Sequence, residues 1–111
     1  MKIAPLITRH VSKIYLQASN EADSLARKCD ELMLEVIDPQ DLDHLSGNVA
    51  FCKRFRDKAR TAAERSMTIM DDGALRDYCE KFDKVFLQFV KFAETCEKDL
   101  NVISEKITKL Q

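Results

Sequence analysis

The chain has 111 residues, enough for one domain with its own core and too few for two domains of ordinary size. Its two glycines and two prolines supply few turns, so the composition excludes a β-sandwich and an α/β fold and predicts an all-α protein. The net charge of −1 removes the general electrostatic case for binding nucleic acid or an anionic membrane.

Two breaks divide the chain into three predicted helices. Asp38 and Pro39 supply an N-cap followed by proline at the first helical position. The run Asp71-Asp72-Gly73 combines an acidic cap with a residue that tolerates the backbone of a turn. The predicted helices cover residues 5–37, 39–70 and 73–110 of a single domain that comprises residues 1–111.

Apolar residues recur at steps of three and four in each segment, which is the spacing of a coiled-coil seam. In helix 1 the seam consists of Val11, Ile14, Ala18, Ala22, Leu25, Cys29, Leu32 and Val36, and two consecutive steps of four interrupt its heptads. In helix 3 the seam consists of Leu75, Cys79, Phe82, Phe86, Phe89, Ala93, Cys96, Leu100, Ile103, Ile107 and Leu110. A second apolar stripe beside the seams of helices 2 and 3 widens their buried faces. The pattern predicts an up-down-up antiparallel three-helix bundle, about 50 Å long, that self-associates into a larger bundle.

The length and topology of this bundle resemble those of a spectrin-type repeat, although the chain has no tryptophan and matches no motif of that family.

The predicted turns also fix which residues of neighbouring helices lie at the same level of the bundle. The residue numbers of two facing positions should add up to about 77 for helices 1 and 2, and to about 144 for helices 2 and 3. Arg56, the one charged residue in the seam of helix 2, then falls opposite Glu21. We predict a structural ion pair between Glu21 and Arg56 that fixes the register.

All four cysteines occupy seam positions, where a free thiol packs as a small apolar side chain. The predicted levels bring Cys29, Cys52 and Cys96 near one another, whereas Cys79 is separated from Cys96 by about 25 Å along helix 3. Three thiols could therefore meet. Because no CxxC or cysteine–histidine pair accompanies them, a core role is favoured over a metal or redox cluster, and no metal or other cofactor is expected.

His44 and Gly47 are predicted to lie on one outward face of helix 2. The run His44-Leu45-Ser46-Gly47 resembles the H-x-L-K-G pattern of histidine phosphotransfer domains, in which an exposed histidine accepts phosphate and a glycine leaves room for the donor. Here the glycine comes one residue too early and the lysine is missing. The resemblance implies a phosphotransfer-type signalling protein that uses His44, as an alternative to an ordinary exposed helix.

The same flank of helix 2 predicts a partner-binding surface. The predicted residues are His44, Phe51, Arg54, Phe55 and Lys58, because exposed aromatic side chains beside arginine are typical of binding hot spots. The stretch from residue 53 to residue 65 holds six basic residues, which leaves nucleic-acid binding as an alternative. These residues spread around the helix, however, and no DNA-binding motif accompanies them.

The chain contains no motif of catalysis: it has no glycine-rich phosphate loop, no HExxH and no nucleophile elbow, so no catalytic residue is predicted. No apolar run is long enough to span a membrane, and MKIAPLITRHV is too short and too interrupted for a signal peptide, so a cytoplasmic location is expected. The sequence predicts a noncatalytic protein–protein interaction module, acting as an adaptor, chaperone-like binder or assembly subunit. It would bind a protein partner or a second copy through apolar helix faces.

Overall fold

The protein is an all-α, up-down-up antiparallel three-helix bundle in a computed structural model. The structure describes the backbone of residues 5–110 and the side chains of residues 7–110; residues 1–4 and 111 of the predicted domain lie outside that range. Helix α1 spans Pro5–Met33, α2 spans Pro39–Ser66 and α3 spans Asp72–Leu110. The bundle measures 61 × 18 × 16 Å, longer than predicted because α3 alone has 39 residues.

The starts of α2 and α3 follow from the residues predicted to break the chain. Asp38 has extended backbone, and its carboxylate accepts a hydrogen bond of 2.9 Å from the amide of Gln40, so it caps α2 ahead of Pro39. The Asp71 carboxylate likewise accepts a hydrogen bond of 3.0 Å from the amide of Ala74 at the start of α3. Both caps satisfy amide groups that a helix leaves without partners in its first turn.

Helices α1 and α2 lie close together because small side chains fill their contact. The buried small residues of these two helices are Ala18, Ser19, Ala22, Ala26, Ala59, Ala62, Ala63 and Ser66. The Ser12 hydroxyl donates to the carbonyl of Ala63, and the Ser19 hydroxyl donates to the carbonyl of Arg56, each at 2.8 Å. These bonds satisfy polar groups that close packing removes from water.

Aromatic side chains form the contact between α2 and α3. The rings of Phe55 and Phe89 are nearly parallel with 4.1 Å between their centroids, and the rings of Phe51 and Phe92 also stack at 4.1 Å. Large rings hold two helices farther apart than alanine and serine do. The core is therefore rich in alanine between α1 and α2, and rich in phenylalanine on the side of α3.

The register agrees closely with the prediction from the sequence. Ser19 faces Arg56, and their residue numbers add up to 75. Phe55 faces Phe89, and their residue numbers add up to 144. The predicted seam of α3 is covered by the other helices, with Phe89 and Ile103 buried. The three-helix architecture and the relative levels of its helices are thus confirmed.

The predicted ion pair between Glu21 and Arg56 is wrong in its acidic partner. The guanidinium of Arg56, which is half-buried, contacts the carboxylate of Asp23 at 2.9 Å and that of Asp57 at 3.1 Å. Glu21 is exposed and lies beside α3 instead. Two residues correspond to a rotation of about 200° around a helix, so the break in the heptads of α1 turns Asp23 toward α2. The hydrogen bond from Arg56 lowers the pKa of Asp23.

Candidate interaction groove between α1 and α3

The bundle is incompletely closed where α1 and α3 run side by side. These helices touch at the level of Tyr15 and Phe82, whose ring centroids are 4.5 Å apart. They touch again where the Sγ atoms of Cys29 and Cys96 lie 3.6 Å apart. Between these two levels the small side chain of Ala18 leaves one depression, and a second depression lies past the level of Cys29 and Cys96 toward the end of α1, with Glu97 lining both. We call the two depressions together the α1–α3 groove.

The floor of the α1–α3 groove is apolar. It is formed by Ala18 and Leu32 of α1 and by Phe86, Val90, Ala93 and Leu100 of α3. Val90 is 39% exposed, so apolar surface is open to a partner. On α3 the groove extends from Phe86 to Ser104, which corresponds to about 27 Å along the helix axis. A helix of about five turns would fit that length.

Exposed carboxylates line the rim of this groove. The charged rim residues are Glu21, Glu31, Glu35, Glu94 and Glu97, with Lys28 as a single cation, so five negative charges face one positive charge. The Nζ atom of Lys28 lies 3.5 Å from the carboxylate of Glu97, across the groove, and both side chains are more than half exposed. A surface ion pair of this kind contributes little to stability and opens readily. The rim is therefore strongly acidic and accessible.

The end of the bundle near the α1–α2 connection carries a further apolar surface. There the last turns of α3 extend beyond α1 and form a depression together with the connection. Ile37 and Leu110, which line this depression, are 85% and 79% exposed, whereas the 87% exposed Leu34 lies at the end of the α1–α3 groove. We call Ile37 and Leu110 the end patch. They leave large apolar side chains in water, which is the usual mark of a contact surface when such residues cluster.

The predicted partner-binding surface of α2 is exposed only in part. Phe55 is 3% exposed and stacks on Phe89, so its prediction as a partner-binding residue is wrong. Phe51 is half-buried against Phe92. The cause is that the aromatic side chains of this part of α2 pack on α3 and do not face solvent. Arg54 and Lys58 are exposed, and partner binding by these two residues stays a prediction.

His44 makes a contact with α3 that the sequence did not indicate. Its Nε2 atom lies 2.7 Å from the carboxylate of Asp99, while its side chain remains 54% exposed. The nearby pair of Lys106 and Asp41, at 3.5 Å, also joins α3 to α2. A phosphate on Nε2 of His44 would displace Asp99 and meet its negative charge. This contact therefore argues against the phosphotransfer alternative and for a bridge between helices.

Three cysteines, one from each helix, meet inside the bundle. Cys29, Cys52 and Cys96 are fully buried free thiols, and Cys96 interacts with both of the others. Cys79 is a half-buried free thiol elsewhere on α3. Among the side chains of residues 7–110, no three histidine, cysteine, aspartate or glutamate residues are arranged so that they could hold a metal ion.

Comparison with known proteins gives no match, either to a family model, to a curated protein or to a solved structure. Within residues 5–110, no helix combines the length and the apolar character that crossing a membrane requires. The interpretation of the site therefore depends on its own shape and chemistry.

Proposed function

We propose that the protein is a noncatalytic helix-binding module whose α1–α3 groove accepts a basic amphipathic helix of a partner protein. The observation that supports this function is the combination of an apolar floor with a rim of five glutamates in one groove. A partner helix lying there would bury its apolar face on Val90 and Ala93 and would turn the three-helix bundle into a four-helix arrangement. Lysine or arginine side chains of the partner would meet the carboxylates of the rim.

The rim charges would select the partner and orient it. Complementary charges accelerate association and disfavour wrong partners, whereas burial of apolar surface supplies most of the affinity. Exposed charges are screened by salt, so binding should weaken as the ionic strength rises. The same argument disfavours a dimer in which two grooves face each other, because the carboxylates of one copy would face those of the other.

A synthetic peptide tests the proposed function. The probe is an amphipathic helix of about 18 residues, matching the length of the groove, with leucines on one face and lysines on both flanks. The control peptide carries glutamate in place of each lysine. We expect fluorescence anisotropy to show saturable binding of the basic peptide that weakens with salt, and binding of the acidic peptide that is at least about tenfold weaker. Equal binding of both peptides would refute the role of the rim.

Two substitutions on α3 locate the binding surface. Val90→Lys places a charge on the floor of the groove, whereas Leu87→Lys changes a residue that is 55% exposed and does not line the groove. We expect Val90→Lys to weaken binding of the basic peptide by about tenfold, corresponding to about 1.4 kcal/mol, and Leu87→Lys to leave it unchanged. A similar effect of both variants would show that the peptide binds elsewhere.

A further inference from the structure

The three buried cysteines form a chemical site that is separate from the groove surface. We propose that Cys29 and Cys96 are a redox modification site, at which a small hydroperoxide converts the two thiols into a reversible disulfide between α1 and α3. Cys52 is the third member of this cluster and does not take part in the bond. Thiol pairs of this kind are oxidised and reduced without permanent change to the protein.

The positions of the two sulfur atoms support a disulfide. The Sγ atoms of Cys29 and Cys96 lie 3.6 Å apart, although the two residues are 67 positions apart in the sequence. A disulfide bond is about 2.05 Å long, so the sulfur atoms must approach by about 1.5 Å to form it. Because the residues lie on different helices, the bond would join the two helices that form the groove.

The hydrogen bonds of the cluster support Cys96 as the thiol that reacts first. Hydrogen bonds from the thiols of Cys29 and Cys52 favour the thiolate of Cys96 and lower the pKa of Cys96, although burial opposes this shift. The interaction with Cys96, together with burial, raises the pKa of both Cys29 and Cys52. Since the thiolate is the nucleophile, Cys96 attacks the oxidant and Cys29, which touches it, completes the bond.

The reaction balances with hydrogen peroxide as the oxidant. The thiolate of Cys96 attacks one peroxide oxygen, the O–O bond breaks, and the departing hydroxide becomes water by taking up the proton that Cys96 lost when it formed the thiolate. Cys96 is then a sulfenic acid. The sulfur of Cys29 attacks the sulfur of Cys96, the S–O bond breaks, and a second water leaves with the proton of Cys29. Two thiols and one hydrogen peroxide thus yield one disulfide and two waters.

Because the three cysteines are buried, their oxidation differs from that of a thiol on the surface. All three sulfurs are shielded from solvent, so a small oxidant must enter during a local opening of the bundle. Accessibility alone would direct oxidation to Cys79, which is half-buried. A disulfide between Cys29 and Cys96 is therefore the outcome that the geometry of the cluster predicts and that exposure does not.

Peptide mapping of the full chain tests the proposal. The protein is treated with hydrogen peroxide under native conditions, its remaining thiols are alkylated, and it is digested. Trypsin leaves Cys29 and Cys52 on one peptide, residues 29–53, so a second protease that cleaves after glutamate is needed to separate them. We expect a cross-linked pair of peptides that contain Cys29 and Cys96, a loss of two hydrogen atoms from the protein, and reversal by dithiothreitol.

Single alanine variants identify the partners of the bond. Cys52→Ala and Cys79→Ala should keep the disulfide, whereas Cys29→Ala should lose it, with circular dichroism confirming that each variant is folded. Mapping of the unmodified protein decides the question even if a variant fails to fold. The proposal is overturned if that protein oxidises only at Cys79, forms a bond between Cys52 and Cys96, or links two chains.

Discussion

Gly47 is the residue at which local stability can be gained most directly. It lies at an exposed position within unbroken α2, a β-carbon added there would meet nothing within 4 Å, and no described glycine has a positive φ. Neither a kink nor a close backbone contact therefore requires glycine. In a helix interior glycine is less favourable than alanine by about 1 kcal/mol.

We therefore expect Gly47→Ala to raise the free energy of unfolding by about 0.5–1 kcal/mol, as measured by urea denaturation. The control is Ser46→Ala, which changes an exposed neighbour and should have a smaller effect. A loss of stability in Gly47→Ala would mean that this part of α2 does not form the regular helix described above.

Asp23 should make the bundle sensitive to acid. Its hydrogen bond with Arg56 lowers its pKa below the ordinary 3.8. A carboxyl group with a lower pKa in the folded state stabilises the protein above its unfolded pKa, and this contribution is lost as the pH falls through the folded pKa. We expect Asp23→Asn to have a lower free energy of unfolding than the unmodified protein at pH 7. This difference should become smaller when the pH falls below the ordinary pKa of the carboxyl group.

Urea denaturation at neutral and acidic pH measures this difference. Asp77→Asn, which removes an exposed carboxylate from α3, serves as the control and should change stability little at either pH. A deficit of the same size for Asp23→Asn at both values of pH would show that the ion pair with Arg56 is not its cause.

Several buried residues of α1 were not predictable from the hydrophobic pattern. Tyr15, Ser19 and Ala26 are buried but lie off the predicted seam, whereas Ile14, which lies on it, is 43% exposed. Serine and alanine carry weak hydrophobic signals, and the burial of Ser19 depends on a carbonyl of α2, far away in the sequence. The sequence also did not identify the acidic partner of Arg56, because that partner depends on which face of α1 points toward α2 at this level.

At the scale of helices, the close contact of α1 with α2 requires small side chains. Ala22 is completely buried, and no space for a larger residue is available unless the two helices separate. We expect Ala22→Leu to lower the free energy of unfolding by about 1–3 kcal/mol. Thermal or urea denaturation measures the change.

The matched control for this prediction is Ala50→Leu, which makes the same change at an exposed position of α2. It should alter the free energy of unfolding by less than about 0.5 kcal/mol. If the two variants were equally stable, the contact between α1 and α2 would be looser than the alanine-rich packing implies.

The helices and their register could be predicted because they depend on local spacing and on two clear breaks. Both α1 and α2 nevertheless end about one turn earlier than predicted, leaving five residues for each reversal of the chain. The groove could not be predicted, since the distance between two helices depends on side chains that meet only in the folded bundle. The same limit explains why Phe55 was assigned to a surface that α3 covers.

At the scale of the whole molecule, the end patch offers a surface for the self-association predicted from the sequence. We expect the average mass from light scattering to rise with protein concentration, and the double variant Ile37→Ser/Leu110→Ser to reduce that rise because it removes apolar surface from the end patch. Leu87→Ser, which changes an exposed leucine of α3 that lies far from this end, is the control. A constant monomer mass at all micromolar concentrations would contradict self-association.

The acidic groove is the feature of the whole molecule on which the proposed function depends. Nuclear magnetic resonance of isotope-labelled protein, titrated with the basic amphipathic peptide, tests it most directly. We expect the amide signals of Val90, Glu94 and Glu97, which line the groove, to shift progressively to saturation, while those of Arg54 and Lys58 on α2 stay in place. Shifts confined to α2, or no shift at saturating peptide, would contradict helix binding by the α1–α3 groove.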